Sequence, residues 1–173
     1  AMLYAEMLEA GFTRVGEFHY LHHDKDGKPY ADPAEMAGRV LAAASVTGIG
    51  MTLLPVFYAH GGIGGRPFVP GQRRFISDLP LFARLMERSR ALAATVAGAR
   101  TGVAPHSLRA VTADELREVV GLARDGETIH MHVAEQVQEV EDCLERTGAR
   151  PVEWLLDNAM VDSRWCLIHA THM

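Results

Sequence analysis

Apolar and polar residues follow two rhythms along this chain. Short apolar runs of strand length fall at residues 13–18, 50–57, 101–105, 128–133 and 165–169. Between them lie longer stretches whose apolar positions recur three and four apart, the spacing of an amphipathic helix. Leu3, Met7 and Leu8 give such a face within 2–10, and Leu81, Leu85, Leu92 and Val96 give another within 78–97. The run GMTLLPVFY (50–58) is continuously apolar, as expected of a strand covered on both faces.

Start and stop signals frame the helical stretches. Asp32-Pro33-Ala34-Glu35 reads as an aspartate cap, a proline at the first helical position and a glutamate at the third. That helix is predicted to run to about Thr47 and stop at Gly48. Thr112-Ala113-Asp114-Glu115 is a capping box opening a helix to about Arg124. A further helix is predicted over 135–147, and Arg150-Pro151 opens a shorter one. Strand and helix thus alternate five times with no hairpin signal, which predicts a parallel sheet with helices outside it.

The strand ends carry the polar chemistry. Glu17-Phe18-His19-Tyr20, Tyr58-Ala59-His60, His106-Ser107-Leu108-Arg109, His132-Val133-Ala134-Glu135 and His169-Ala170-Thr171-His172 each follow an apolar run. In a parallel α/β barrel those ends converge on one mouth, where active sites lie. The long glycine-rich stretch 59–75 fits no phosphate-binding pattern, and is expected to be an active-site or lid loop, with a plain surface loop as the alternative.

Composition narrows the class. Of 173 residues, 22 are acidic and 17 are Lys or Arg, and 48% are hydrophobic. With no concentrated basic patch, nucleic acid is not the expected partner. No apolar run approaches the ~18 residues that would read as a membrane span. Cys143 and Cys166 form no CxxC pair and are expected to be buried, reduced thiols of a cytoplasmic protein. Both chain ends fall within or just after predicted elements, and the sequence is expected to be a piece of something longer.

The stretch TIHMHVAEQ (128–136) is the most informative. His130 and His132 stand two apart on a strand and so share a face. A strand-end imidazole can ligate a metal, and a carboxylate one turn beyond, at Glu135, can carry protons. The plain alternative is two ordinary polar residues on a strand. Arg109 offers a planar fork suited to a carboxylate, or to a surface ion pair; Arg73 and Arg74 carry the same ambiguity. Ser107 lacks the GxSxG elbow of a nucleophile, and Cys166 sits in what reads as a buried strand.

The segments GEFHYLHH (16–23), GQRRF (71–75), PHSLRAVT (105–112), HMHVAEQ (130–136), RPVEWL (150–155) and RWCLIHATH (164–172) together resemble the amidohydrolase superfamily, and within it the formimidoylglutamate deiminase family. That resemblance implies a (β/α)8 TIM-type barrel, of which this chain would supply about strands 2–6. It implies one divalent metal, usually zinc, and hydrolysis of N-formimidoyl-L-glutamate to N-formyl-L-glutamate and ammonia in histidine degradation. By the family pattern His132 is a metal ligand, Glu135 the proton shuttle to metal-activated hydroxide, and His169 a residue that orients water or the intermediate. His106, Arg109 and Tyr20 match substrate-binding positions, and His130 becomes a supporting residue. The whole enzyme is expected to be a cytoplasmic homodimer acting on a small molecule. The family's HxH pair after the first strand and its aspartate after the last are absent here, so the other ligands would lie outside this chain. Purine, pyrimidine or triazine deamination within the superfamily is the alternative activity, and a barrel that binds no metal the non-catalytic one.

Overall fold

A computed structural model describes residues 1–173. Five strands form one sheet: β1 (Arg14–His19), β2 (Gly50–Phe57), β3 (Ala99–Pro105), β4 (Thr128–Val133) and β5 (Trp165–His169). Each pairs in parallel with its neighbours in sequence, in the order β1-β2-β3-β4-β5. Parallel pairing needs a crossover long enough to return the chain to the same end. The crossovers carry α2 (Glu35–Thr47), α3 (Leu79–Ala93), α4 (Ala113–Gly121) and the pair α5 (Val137–Thr147) and α6 (Pro151–Asn158), with α1 (Met2–Glu9) preceding β1. The result is a curled, five-strand segment of an α/β barrel, with the parallel pairing that the alternation predicts and the barrel form that the resemblance implies. No helix is long and apolar enough to cross a membrane.

The two faces of the sheet do different work. Met51, Leu53, Phe57, Val103, Met131 and Val133 point toward the helices and join Leu41, Phe82, Leu85 and Leu116 in a core of 24 buried residues. Leu54, Val56 and Ala104 face the concave side, where Phe18 and Tyr20 pack on them. Along β4 the alternation is strict: Ile129, Met131 and Val133 are buried, while His130 and His132 share the half-exposed concave side. The predicted shared face of the two histidines is therefore present.

At the N-terminal end of the strands a buried ion pair fastens α3 to the sheet. Arg90 donates through Nε and Nη2 to both oxygens of Glu127, at 2.9 and 2.8 Å, with both side chains 10% exposed. Thr101 Oγ1 donates to Glu127 at 2.5 Å and Arg124 N at 2.9 Å, so the carboxylate is saturated with donors. Nearby, Gly102 pairs with Thr128 across β3 and β4, and a Cβ there would fall 2.6 Å from the Thr128 carbonyl oxygen.

Two helix ends and one burial in this part of the fold differ from the sequence reading. Helix α2 starts at Glu35, because Asp32 closes an Asx turn onto Ala34 N at 2.9 Å and pairs with Arg88 at 2.8 Å. Helix α3 stops at Ala93, where Thr95 and Val96 bond carbonyls three residues back and Gly98 takes φ +75°. Cys166 is exposed, whereas burial was expected. Strand β5 pairs on one side only, with β4, so its outward residues lack cover. The Thr112 capping box holds as predicted, with Glu115 Oε2 accepting from Thr112 N at 2.7 Å.

Candidate active site

The C-terminal ends of the strands meet on the concave side around His132, the penultimate residue of β4. Its ring stacks on His106 at 5.4 Å between centroids and lies 5.2 Å from His169. The Phe18 ring, from β1, meets it edge-on at 4.4 Å. His132 N donates to the His106 carbonyl at 2.9 Å, extending the β3–β4 pairing one step past Pro105 and fixing the two imidazoles in register. Tyr20 and Tyr58 approach His106 at 5.8 and 4.5 Å, and Phe75, at the end of the long loop, packs on Tyr20 at 4.9 Å.

Burial pushes the His132 imidazole below its usual value, with the Glu135 carboxylate opposing it. His106 is lowered further, to about 3, by burial and then by His132 and Arg109. Both rings are therefore neutral near pH 7, the form in which imidazole binds a metal. His106 Nδ1 lies 2.9 Å from the Ser107 hydroxyl, while His132 Nδ1 is buried with no partner.

Beyond β4 the chain turns sharply. Ala134 adopts φ +51°, a left-handed conformation that costs a non-glycine residue about 1 kcal/mol or more. Helix α5 then begins at Val137, two residues later than predicted, so Glu135 sits in the turn and not in the helix. The turn is clamped from below by Glu139, whose side chain is 0% exposed. Its Oε1 accepts from Ala134 N and its Oε2 from Glu135 N, each at 3.1 Å. The Glu135 carboxylate is left at the mouth: Oε2 accepts from Arg109 Nη2, and Oε1 lies 3.7 Å from His169 Nε2. Arg109 Nε faces Glu139 Oε2 at 3.6 Å, placing one guanidinium between two carboxylates. A pair of left-handed residues, His169 (φ +71°) and Ala170 (φ +47°), turns the end of β5 toward the same point.

His132, Glu135, His169, His106, Arg109 and Tyr20 are thus brought to one mouth. Arg109 is the residue whose surroundings depart most from expectation, since its guanidinium already has protein carboxylates around it. Other strand-end residues serve the scaffold. His60 pairs with Glu115 at 2.8 Å. His22 Nε2 meets the Val56 carbonyl at 2.8 Å and His23 Nε2 that of Ile76 at 2.6 Å, both inside the protein. Arg73 and Arg74 donate to the carbonyls of Lys25, His23 and Asp24, tying the long loop to the β1–α2 connection. That loop runs beside α5, with Arg66 and Asp142 paired at 3.2 Å, and only its end reaches the mouth.

Glu139 was not singled out from sequence, although a signal existed. It falls on the buried stripe of α5 with Val140 and Cys143, and a carboxylate on such a stripe must have a polar partner. As a metal centre the residues fit one side only. His132 offers a buried, unpartnered nitrogen beside a carboxylate, but no group of three or more His, Cys, Asp or Glu could hold an ion. A catalytic site takes three or more protein ligands.

Comparison with known proteins agrees with this geometry. The chain is 52% identical over 170 residues to formimidoylglutamate deiminase from Pseudomonas aeruginosa, covering 98% of this chain and 37% of that protein. The crystal structure of an amidohydrolase from Brucella melitensis superposes with a TM-score of 0.96 at 64% identity, over 99% of this chain and 38% of that one. An adenosine deaminase from Xanthomonas campestris with bound zinc shares the fold at TM-score 0.66 and 23% identity, over 94% of this chain and 31% of its own. The chain therefore spans less than two-fifths of each relative. The amidohydrolase family model matches residues 4–173, nearly all of the sequence. On motif, fold and match alike, the chain belongs to the amidohydrolase family.

Proposed function

We propose that this chain is the central part of a metal-dependent hydrolase barrel that converts N-formimidoyl-L-glutamate and water to N-formyl-L-glutamate and ammonia. The observation that carries the reading is the 52% identity to a formimidoylglutamate deiminase, sustained over 170 residues. The reading extends to a step of histidine degradation, carried out in the cytoplasm by a homodimer. His132 would hold the divalent ion, zinc by the family resemblance, together with ligands from outside residues 1–173. Bound there, such an ion supplies a water molecule acidified enough to be a nucleophile at neutral pH.

The chain's own residues do the rest. Arg109 takes a substrate carboxylate in its planar fork. His106, neutral in its buried setting, and Tyr20 line the same pocket and exclude water from the formimidoyl group. Glu135 accepts a proton from the attacking water and delivers it to the imino nitrogen. The new C–O bond turns the formimidoyl carbon tetrahedral. Glu135 then carries the hydroxyl proton to that same nitrogen, now an amino group, its C–N bond breaks, and ammonia leaves as the formyl group forms. His169, 3.7 Å from Glu135, orients that exchange.

The test is ammonia release by the natural protein carrying this chain, assayed with N-formimidoyl-L-glutamate, with adenosine and with an aminotriazine, alongside its metal content. Turnover of the formimidoyl substrate with a stoichiometric metal supports the reading. Turnover of a heterocycle alone replaces the substrate assignment, and a metal-free protein without turnover replaces the enzyme by a binding module.

A further inference from the structure

We infer that Glu139, a residue at which no substrate or metal contact is expected, is the positioning residue for the proton-carrying Glu135; the inference rests on the function proposed above and deepens it. Glu139 is buried, and both of its oxygens are committed to backbone amides in the turn between β4 and α5. Those two N–H groups belong to Ala134, held in a left-handed conformation, and to Glu135 itself. A left-handed alanine persists only where its surroundings over-determine it. Here the determinant is a single carboxylate that accepts from two successive amides, so that the direction in which Glu135 leaves the backbone is set four residues away.

The charge of Glu139 matters as well as its shape. Arg109 Nε is buried with no hydrogen bond, and the atom facing it at 3.6 Å is Glu139 Oε2. Arg109 Nη2 meanwhile contacts the Glu135 carboxylate. The guanidinium is shared between a carboxylate fixed by two backbone amides and a more exposed one at the mouth. When a substrate carboxylate approaches Arg109, the Glu139 side of the guanidinium stays neutralised, and Glu135 is the group free to leave it. A neutral residue at 139 removes that balance and leaves Arg109 with Glu135 as its one anionic neighbour. Glutamine also turns one acceptor into an NH2 donor, so one of the two amides loses its partner.

The experiment compares Glu139→Gln and Glu139→Asp with the natural protein carrying this chain, with Glu135→Gln as a control. Three quantities are read: kcat and KM for N-formimidoyl-L-glutamate, amide hydrogen exchange in the peptide covering 133–137, and Tm with metal content. The expected result for Glu139→Gln is a kcat lowered at least tenfold, KM within about threefold, and faster exchange at 134–135. Metal content is unchanged. Glu139→Asp keeps the charge and is expected to recover part of kcat, because it still accepts from one amide. A Glu139→Gln protein with wild-type kcat overturns the inference. So does a kcat loss in both variants that merely tracks loss of folded protein, since that describes a structural residue. If Glu135→Gln leaves turnover intact, or the natural protein does not act on the formimidoyl substrate, the proposed function fails instead. The exchange measurement then still decides whether Glu139 sets the 134–135 turn.

Discussion

Replacing Glu127 by glutamine removes the charge from the most enclosed ion pair in the fold while keeping its size. Burial by itself raises the Glu127 carboxyl, but the donors from Arg90, Thr101 and Arg124 N outweigh it and hold the group at about 2, against an ordinary 4.5. At 1.36 kcal/mol for each pH unit of that gap, the carboxylate contributes roughly 3 kcal/mol to folding. Since the folded value is the lower one, this stability is fully present above pH 4.5 and is lost as pH falls toward 2. An independent route reaches the same size: removing one partner of a buried pair costs about 3–5 kcal/mol, because the other charge is stranded. The stranded group here is Arg90, only 10% exposed, although its bonds to the Leu122 carbonyl and to Glu87 remain. Urea unfolding of the natural protein and of Glu127→Gln, run from pH 7 down to pH 2, measures the difference directly. We expect about 3 kcal/mol at pH 7, shrinking steadily below pH 4.5. A difference under about 1 kcal/mol at pH 7, or one that does not change with pH, refutes the reasoning.

Other expectations follow from single contacts. Gly102→Ala puts a methyl group 2.6 Å from the Thr128 carbonyl oxygen and 2.8 Å from Leu54, and is expected to cost about 1–3 kcal/mol in a urea melt; an unchanged midpoint would show that β3 and β4 can separate freely. Arg109→Ala is expected to raise KM for N-formimidoyl-L-glutamate far more than for a formimidoyl compound without carboxylates, and equal effects on both would remove Arg109 from substrate binding. The excised 173-residue chain, with β1 and β5 each paired on one side and Met2, Val46 and Met160 at least 78% exposed, is expected to melt without cooperativity. A sharp calorimetric transition from that chain would contradict it.

Much of the architecture was legible in the sequence. All five apolar runs are strands, and the absence of hairpin signals between them corresponds to wholly parallel pairing. The collection of His106, His132 and His169 at one mouth follows from their places at strand ends. What escaped was decided by contacts that have no periodicity. The predicted starts of α2 and α5 each fall two residues early: Asp32 spends its side chain on an Asx turn and on Arg88, and Ala134 takes a left-handed turn that only Glu139 explains. His60 falls in a strand-end cluster in sequence, yet it is committed to Glu115 far along the chain, as His22 and His23 are to the carbonyls of Val56 and Ile76. Cys166 reads as buried because its neighbours are apolar, but burial of a strand also depends on what lies beside it.

The sequential order of the strands has a consequence for how the molecule is made. Because each strand joins the one synthesised just before it, every unit can dock on a finished edge as it leaves the ribosome, without waiting for distant chain. The contacts at the mouth obey a different clock. Phe18 emerges early and His132 and His169 late, so the edge of the Phe18 ring that meets His132 stays open until β4 arrives, although Leu54 and Val56 already cover its other side. Slowed translation between β3 and β4 would prolong that exposure, and the chemistry at the mouth is assembled only after most of its frame has set.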